Sequence, residues 1–139
     1  MIKIRRIDDD FIAASWSFGP IKRIYLGNRF GKFSLQQQSA ILAHETGHCE
    51  GHHLEWRCLA AIFIPFWCHR VTKYQEILAD RFAVKKGHAE CLLTIFEKIS
   101  HGGRFHPTRE ERIANVLLYE KIRLAGVTSS LAPRDRRSA

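Results

Sequence analysis

Long apolar runs are missing from this 139-residue sequence. The longest, Cys58 to Cys68, is interrupted by Pro65, whereas a bilayer-spanning helix needs about 20 apolar residues. The first twenty residues carry Asp8, Asp9 and Asp10 and no apolar core, so no signal peptide is expected and the expected location is cytoplasmic. Cysteine is scarce too. Cys49, Cys58, Cys68 and Cys91 form no Cys-x-x-Cys pair, which argues against a structural thiolate zinc site and for free thiols in a reducing compartment. Cys49 reads most simply as a small core residue. Acidic residues are outnumbered 14 to 22 by Lys and Arg, giving a formal net charge of +8 and an attraction to anionic partners. The cations are dispersed, with Arg134, Arg136 and Arg137 in the tail, and no nucleic-acid module signature is present. A solvated basic surface is therefore favoured over nucleic-acid binding. Internal repeats and low-complexity linkers are absent as well.

What is present fits one α+β domain over residues 1–127, followed by a polar, basic tail over 128–139. Residues 2–7, 11–18 and 21–26 read as three strands. The helices follow. Ser34 with Gln37 forms a capping box opening a helix to about His53, with Leu35, Ala40, Ile41 and Leu42 on its apolar side. Residues 54–71 fit either a helix broken at Pro65 or a loop packed on the core. Thr72 with Gln75 reads as a second capping box, for a helix stopped at Lys85-Lys86-Gly87. A further helix spans about 89–100 and closes at Gly102-Gly103. Thr108 with Glu111 opens the last one, which is expected to end at Gly126.

The chemistry concentrates at His44-Glu45-Thr46-Gly47-His48. Two histidines four residues apart on a helix differ by ~40° around its axis, so both rings project from one face. That spacing suits two nitrogen ligands on one Zn²⁺ ion, and Glu45 can reach a water on the metal rather than the metal itself. The plainer alternative is a pair of surface histidines beside a helix-face glutamate. A catalytic zinc needs a third protein ligand and one open position. Gly51 matches the metzincin pattern, but that pattern's third histidine position holds Leu54. His52 and His53 lie too close along the same helix to complete the site and are expected to be exposed or in supporting positions. Glu76, on a separate helix, is the better third ligand, though alone it reads equally well as a solvated carboxylate. Asp80, one turn further on, could accept a hydrogen bond from the outer nitrogen of a ligand histidine.

The His-Glu-x-x-His segment followed by Glu76-Ile77-Leu78-Ala79-Asp80 resembles the gluzincin metallopeptidases, in particular the HtpX-like and CAAX prenyl protease-like membrane peptidases. His106-Pro107-Thr108-Arg109-Glu110-Glu111-Arg112-Ile113 is similar to a third segment of that family. The resemblance covers about residues 20–125. Those relatives carry transmembrane helices and this chain shows none, so it looks most like their small soluble counterparts, the minigluzincins. The run from Leu59 to Trp67 lies between the motifs and is a candidate for peripheral membrane contact.

The resemblance implies a zincin-like fold of about three strands and about four helices, including an active-site helix and a glutamate helix. It implies that His106 stabilises an oxyanion and that Arg112 supports the site from behind the ligands. It also implies that residues 21–26, with Ile24, Tyr25 and Leu26, form an edge strand pairing with an extended peptide or protein substrate. The expected activity is zinc-dependent endopeptidase hydrolysis. Its ion would be held by His44, His48 and Glu76, with Glu45 moving the water's proton to the leaving amine. The alternatives are a latent or non-catalytic zincin domain and a regulatory domain associated with nucleic acid.

Overall fold

The computed structural model describes residues 1–99 and 106–131. Three strands come first: β1 (Ile2–Arg6), β2 (Ala13–Phe18) and β3 (Ile21–Leu26). Five helices follow: α1 (Leu35–Glu50), α2 (His53–Phe63), α3 (Cys68–Lys85), α4 (Ala89–Lys98) and α5 (Arg109–Leu131). Short 3₁₀ turns at Asn28–Lys32 and Pro65–Trp67 link β3 to α1 and α2 to α3. The molecule is α+β, as the order of sequence signals implies.

β2 and β3 form a hairpin in which Phe18 pairs with Ile21, leaving a two-residue turn at Gly19-Pro20. Gly19 takes φ +54, the left-handed value that such turns demand at their first position. β1 then adds parallel to the far side of β3, so the sheet order is β1-β3-β2. Alternate residues of β3 turn Ile24 and Leu26 inward, and both are buried against the helices. They meet Ala40 and Ile41 of α1, Ala83 and Val84 of α3, Leu92, Ile95 and Phe96 of α4, and Val116 of α5 in one core.

α1 packs on the sheet and also against α3 and α4, so it occupies the middle of the molecule. Its start is fixed by a complete capping box: Gln37 N–H donates to Ser34 Oγ, and the Ser34 N–H donates to Gln37 Oε1. Gly47 sets its distance from α3. A Cβ there would lie 3.0 Å from Phe82 Cβ and 3.1 Å from Ala79 Cα, so any larger residue would push the two helices apart by a few tenths of an ångström.

The structure corrects several sequence expectations. α1 ends at Glu50 rather than near His53. Gly51 follows, and His52 takes the left-handed φ of 52, which redirects the chain into α2. Residues 54–71 resolve into α2, the turn at Pro65 and the start of α3, the proline stopping α2 as its steric demand requires. Thr72 is not a cap: α3 already begins at Cys68, and Thr72 Oγ1 donates back to the Cys68 carbonyl at 3.0 Å. The Thr108–Glu111 box is formed in both directions. α5 continues to Leu131 instead of stopping at Gly126. The expected Gly102-Gly103 stop and the tail beyond residue 131 lie outside the described residues. Among the described residues, no helix is long and apolar enough to cross a membrane.

Candidate metal centre

The close approach of α1 and α3 at Gly47 brings the faces bearing His44, His48 and Glu76 together. His44 Nε2 lies 3.1 Å from His48 Nε2 and 3.6 Å from Glu76 Oε2, and His48 Nε2 lies 3.5 Å from Glu76 Oε1. An ion bound tetrahedrally through bonds of about 2.0–2.2 Å requires ligand atoms about 3.3–3.5 Å apart. The two carboxylate separations, one to each Glu76 oxygen, are close to that value, the histidine pair is slightly tighter, and one atom from each residue lies within 4.8 Å of the others. The donor set therefore fits a metal ion, and the helical spacing read from the sequence produces the convergence it implied.

Two facing imidazole nitrogens 3.1 Å apart need a proton or a cation between them. Burial opposes a charged His44, but the Asp80 and Glu76 carboxylates outweigh it and raise its pKa to about 10. His48 is driven the other way, first by burial and then by the charge on His44, and stays neutral. His44 thus donates through Nδ1 to Asp80 Oδ1 at 2.9 Å and through Nε2 to His48. His48 in turn donates through Nδ1 to His53 Nδ1 at 2.7 Å. His53 is buried, and burial followed by the Arg57 charge lowers its pKa to about 4, so it accepts as a neutral ring. A metal ion held by this set would take the place of the proton on His44 Nε2.

The surroundings fix each ligand from behind. Asp80 is fully buried and is clamped by Arg112, whose Nε donates to Oδ2 at 2.8 Å and whose second nitrogen donates to Oδ1 at 2.6 Å. Burial favours a neutral carboxyl at Asp80, but the bonds from His44 and Arg112 prevail and hold it ionised. Glu76 behaves likewise: burial is outweighed by the hydrogen bond and charge of His44, which lower its pKa. On the α2 side, Arg57 donates to Gln75 Oε1 at 2.6 Å and to Glu76 Oε1 at 3.2 Å, while Gln75 donates to the His53 carbonyl at 3.0 Å. This ring of contacts ties the third ligand to the residue behind the second one.

Sequence reasoning left His53 between exposure and a supporting position, and it missed Arg57 and Gln75. The signal for His53 was Gly51. A Cβ at residue 51 would overlap His53 Nε2, so glycine clears the space into which the ring returns. His52 is half-exposed and pairs with Glu55 instead. Cys49 is a fully buried thiol whose pKa is pushed up to about 11 by burial and then by Glu45, in keeping with a core role.

A cleft of about 490 Å³ opens at the centre. His44, Glu45, His48 and Glu76 line it together with His106 and Arg112. His106 is exposed at the start of α5, and the buried Pro107 behind it anchors that entry. The opposite wall is apolar, from Ile41, Leu92, Ile95 and Phe96.

One expected element is in the wrong place. Ile24, Tyr25 and Leu26 belong to β3, the central strand, whose two edges are taken by β1 and β2. They cannot pair with a substrate, because no backbone donors of that strand remain free for a partner. Among the described residues β2 pairs with β3 alone. Consecutive residues Ile12, Ala13, Ala14 and Ser15 all line the cleft. Successive strand side chains point to opposite faces, so contact with all of them means that the cleft runs along the edge of β2. Protein-family models, curated proteins and solved structures offer no match to this chain.

Proposed function

We propose that this protein is a zinc-dependent endopeptidase with a gluzincin-type, zincin-like site, similar to the HtpX-like and CAAX prenyl protease-like peptidases and nearest in build to the minigluzincins. One observation carries the reading: His44, His48 and Glu76 bring one ligand atom each within 4.8 Å of one another, in a cleft that also contains Glu45 and His106. Two imidazoles and one carboxylate are the donor set of a catalytic rather than a structural zinc site.

His44, His48 and Glu76 would hold the ion. When bound, zinc supplies Lewis acidity towards the scissile carbonyl and an acidified water. Glu45, next to the first ligand on α1, accepts a proton from the attacking water and delivers it to the leaving amine. His106 donates a hydrogen bond to the developing oxyanion. Asp80 keeps Nδ1 of His44 protonated, which leaves Nε2 free to act as a ligand, and Arg112 holds Asp80 in place. An extended peptide pairs with the free edge of β2, and its apolar side chains face Ile41, Leu92 and Phe96.

The test is cleavage of a broad peptide library by the zinc-loaded protein, read by mass spectrometry, alongside Glu45→Gln. The expected outcome is defined products from the wild type and a loss of about 10²–10⁴-fold in the variant with its zinc retained. If both proteins bind one zinc and neither cleaves, the peptidase reading fails and a latent or non-catalytic zincin domain takes its place.

A further inference from the structure

Helix α2 has two unlike faces. His53, Arg57 and Ala60 point inward, towards the metal centre and core. At ~100° per residue, Trp56, Leu59, Ile62 and Phe63 share an arc of ~120° on the other side. All four are exposed, and exposure is greatest at the far end, 75% at Phe63 and 87% at Phe66 in the turn beyond. Every residue from Ala61 to Trp67 is exposed. The turn Pro65–Trp67 packs mainly on α2 and α3, the two helices it joins, so this corner projects from the body instead of lining a groove.

The unpaired charges nearest it in sequence are cations. Arg57 points inward to Glu76, and Glu55 at the start of α2 is held by Ser17, Gly19 and His52. Beyond them Arg70 and Lys73 follow with no carboxylate before Glu76, in a protein of net charge +8. Arg70 lies 4.2 Å above the Trp67 ring, which fixes a cation at the rim of the aromatic cluster. α5 offers a contrast. Its exposed Leu117, Leu118 and Ile122 are interleaved with the Glu120–Arg123 pair and with no Trp or Phe, a mixture of both signs suited to another protein surface. Exposed Trp and Phe on a projecting corner, with cations beside them, match the composition selected at the interface of an anionic bilayer.

We propose that the α2–Trp67 corner docks this protein peripherally on anionic lipid bilayers. Trp56, Ile62, Phe63, Phe66 and Trp67 enter the headgroup–acyl boundary, while Arg70 and Lys73 meet the lipid phosphates. α2 is too short to span, so the docking is a surface one. Because α2 also carries His53 and Arg57, the docked corner sits directly behind the metal centre. The proposal stands apart from the peptidase reading.

The experiment is sedimentation of the full chain with phosphatidylcholine vesicles and with vesicles containing about 30% phosphatidylglycerol, at ~0.1 M salt. Preferential binding to the anionic vesicles, at least about tenfold, and a blue shift of tryptophan emission on binding are expected. Raising the salt should weaken the binding. Phe63→Ser combined with Phe66→Ser should lower partitioning at least about tenfold while leaving the melting curve in place, since both side chains are already in water. Equal binding to both vesicle types, or anionic binding that ignores the double variant, would overturn the proposal. So would a concentration-dependent dimer that the same variant dissolves in the absence of any vesicle binding, which would assign the corner to a protein interface.

Discussion

The two sides of the candidate metal centre hold its donor residues by different physics. On the α3–α5 side, His44 is fixed by a charge: Asp80, fully buried, is gripped by both nitrogens of the Arg112 fork. On the α2 side, His48 is fixed by a neutral ring, His53, whose backbone is tied through Gln75 and Arg57 to Glu76. The first arrangement is rigid and costly to break, because a buried ion with its partner removed keeps its full desolvation penalty. The second spreads smaller contacts over a helix that is half in water. The site is therefore held by a buried ion pair on one side and by weaker neutral and part-exposed contacts on the other.

The largest expected effect comes from breaking the charged side. Asp80→Asn leaves Arg112 buried with only the 4.0 Å contact to Glu76 and should cost about 3–5 kcal/mol in denaturant unfolding, with metal affinity reduced about 10–100-fold. A cost under about 1 kcal/mol would show that the pair is not the anchor.

pH probes the same side without mutation. The His44 pKa is raised in the folded, metal-free protein to about 10, so between its ordinary value near 6.5 and 10 the folded state holds a proton that the unfolded chain releases. This stabilisation is complete below about 6.5 and is lost as pH rises through 10. Melting temperatures of metal-free protein should fall across that window. Metal binding near neutral pH should release about one proton, measurable by calorimetry in buffers of different ionisation enthalpy.

Breaking the neutral side should do less. His53→Phe leaves the His48 Nδ1–H without its acceptor, at about 1–3 kcal/mol and roughly tenfold in metal affinity. An effect as large as that of Asp80→Asn would erase the asymmetry. The smallest change is expected from Arg57→Gln. This side chain is about a third exposed, and removing its pairing with Glu76 should cost no more than ~1 kcal/mol.

The same division explains what could be read in advance. His44 and His48 follow from positions on one continuous helix, where a separation of four fixes direction, so spacing alone predicted how they would face, while Asp80 was placed by its spacing from Glu76. Glu76 needed a second motif, because a lone helical glutamate carries no sign of its partner. His53 depended on a helix that was expected to continue. The left-handed turn at His52 sends its ring back over Gly51, and no periodicity crosses such a break. The edge position of β3 was implied by the resemblance alone, and chain order is silent on whether β1 pairs with it or lies elsewhere. The parallel addition of β1 made it central and handed the cleft to β2. Thr72 failed as a cap for a related reason: Ser/Thr-x-x-Gln marks a helix start only where no earlier turn supplies the partners, and Pro65–Trp67 leads straight into Cys68.

The central claim is that His44, His48 and Glu76 hold one metal ion between α1 and α3. An anomalous-scattering map at the zinc edge, from crystals grown with equimolar zinc, tests it most directly. The account predicts a single strong peak about 2.0–2.2 Å from His44 Nε2, His48 Nε2 and a Glu76 carboxylate oxygen. A peak elsewhere on the molecule, or one held by the histidines with Glu76 still paired to Arg57 beyond ligand distance, would contradict it.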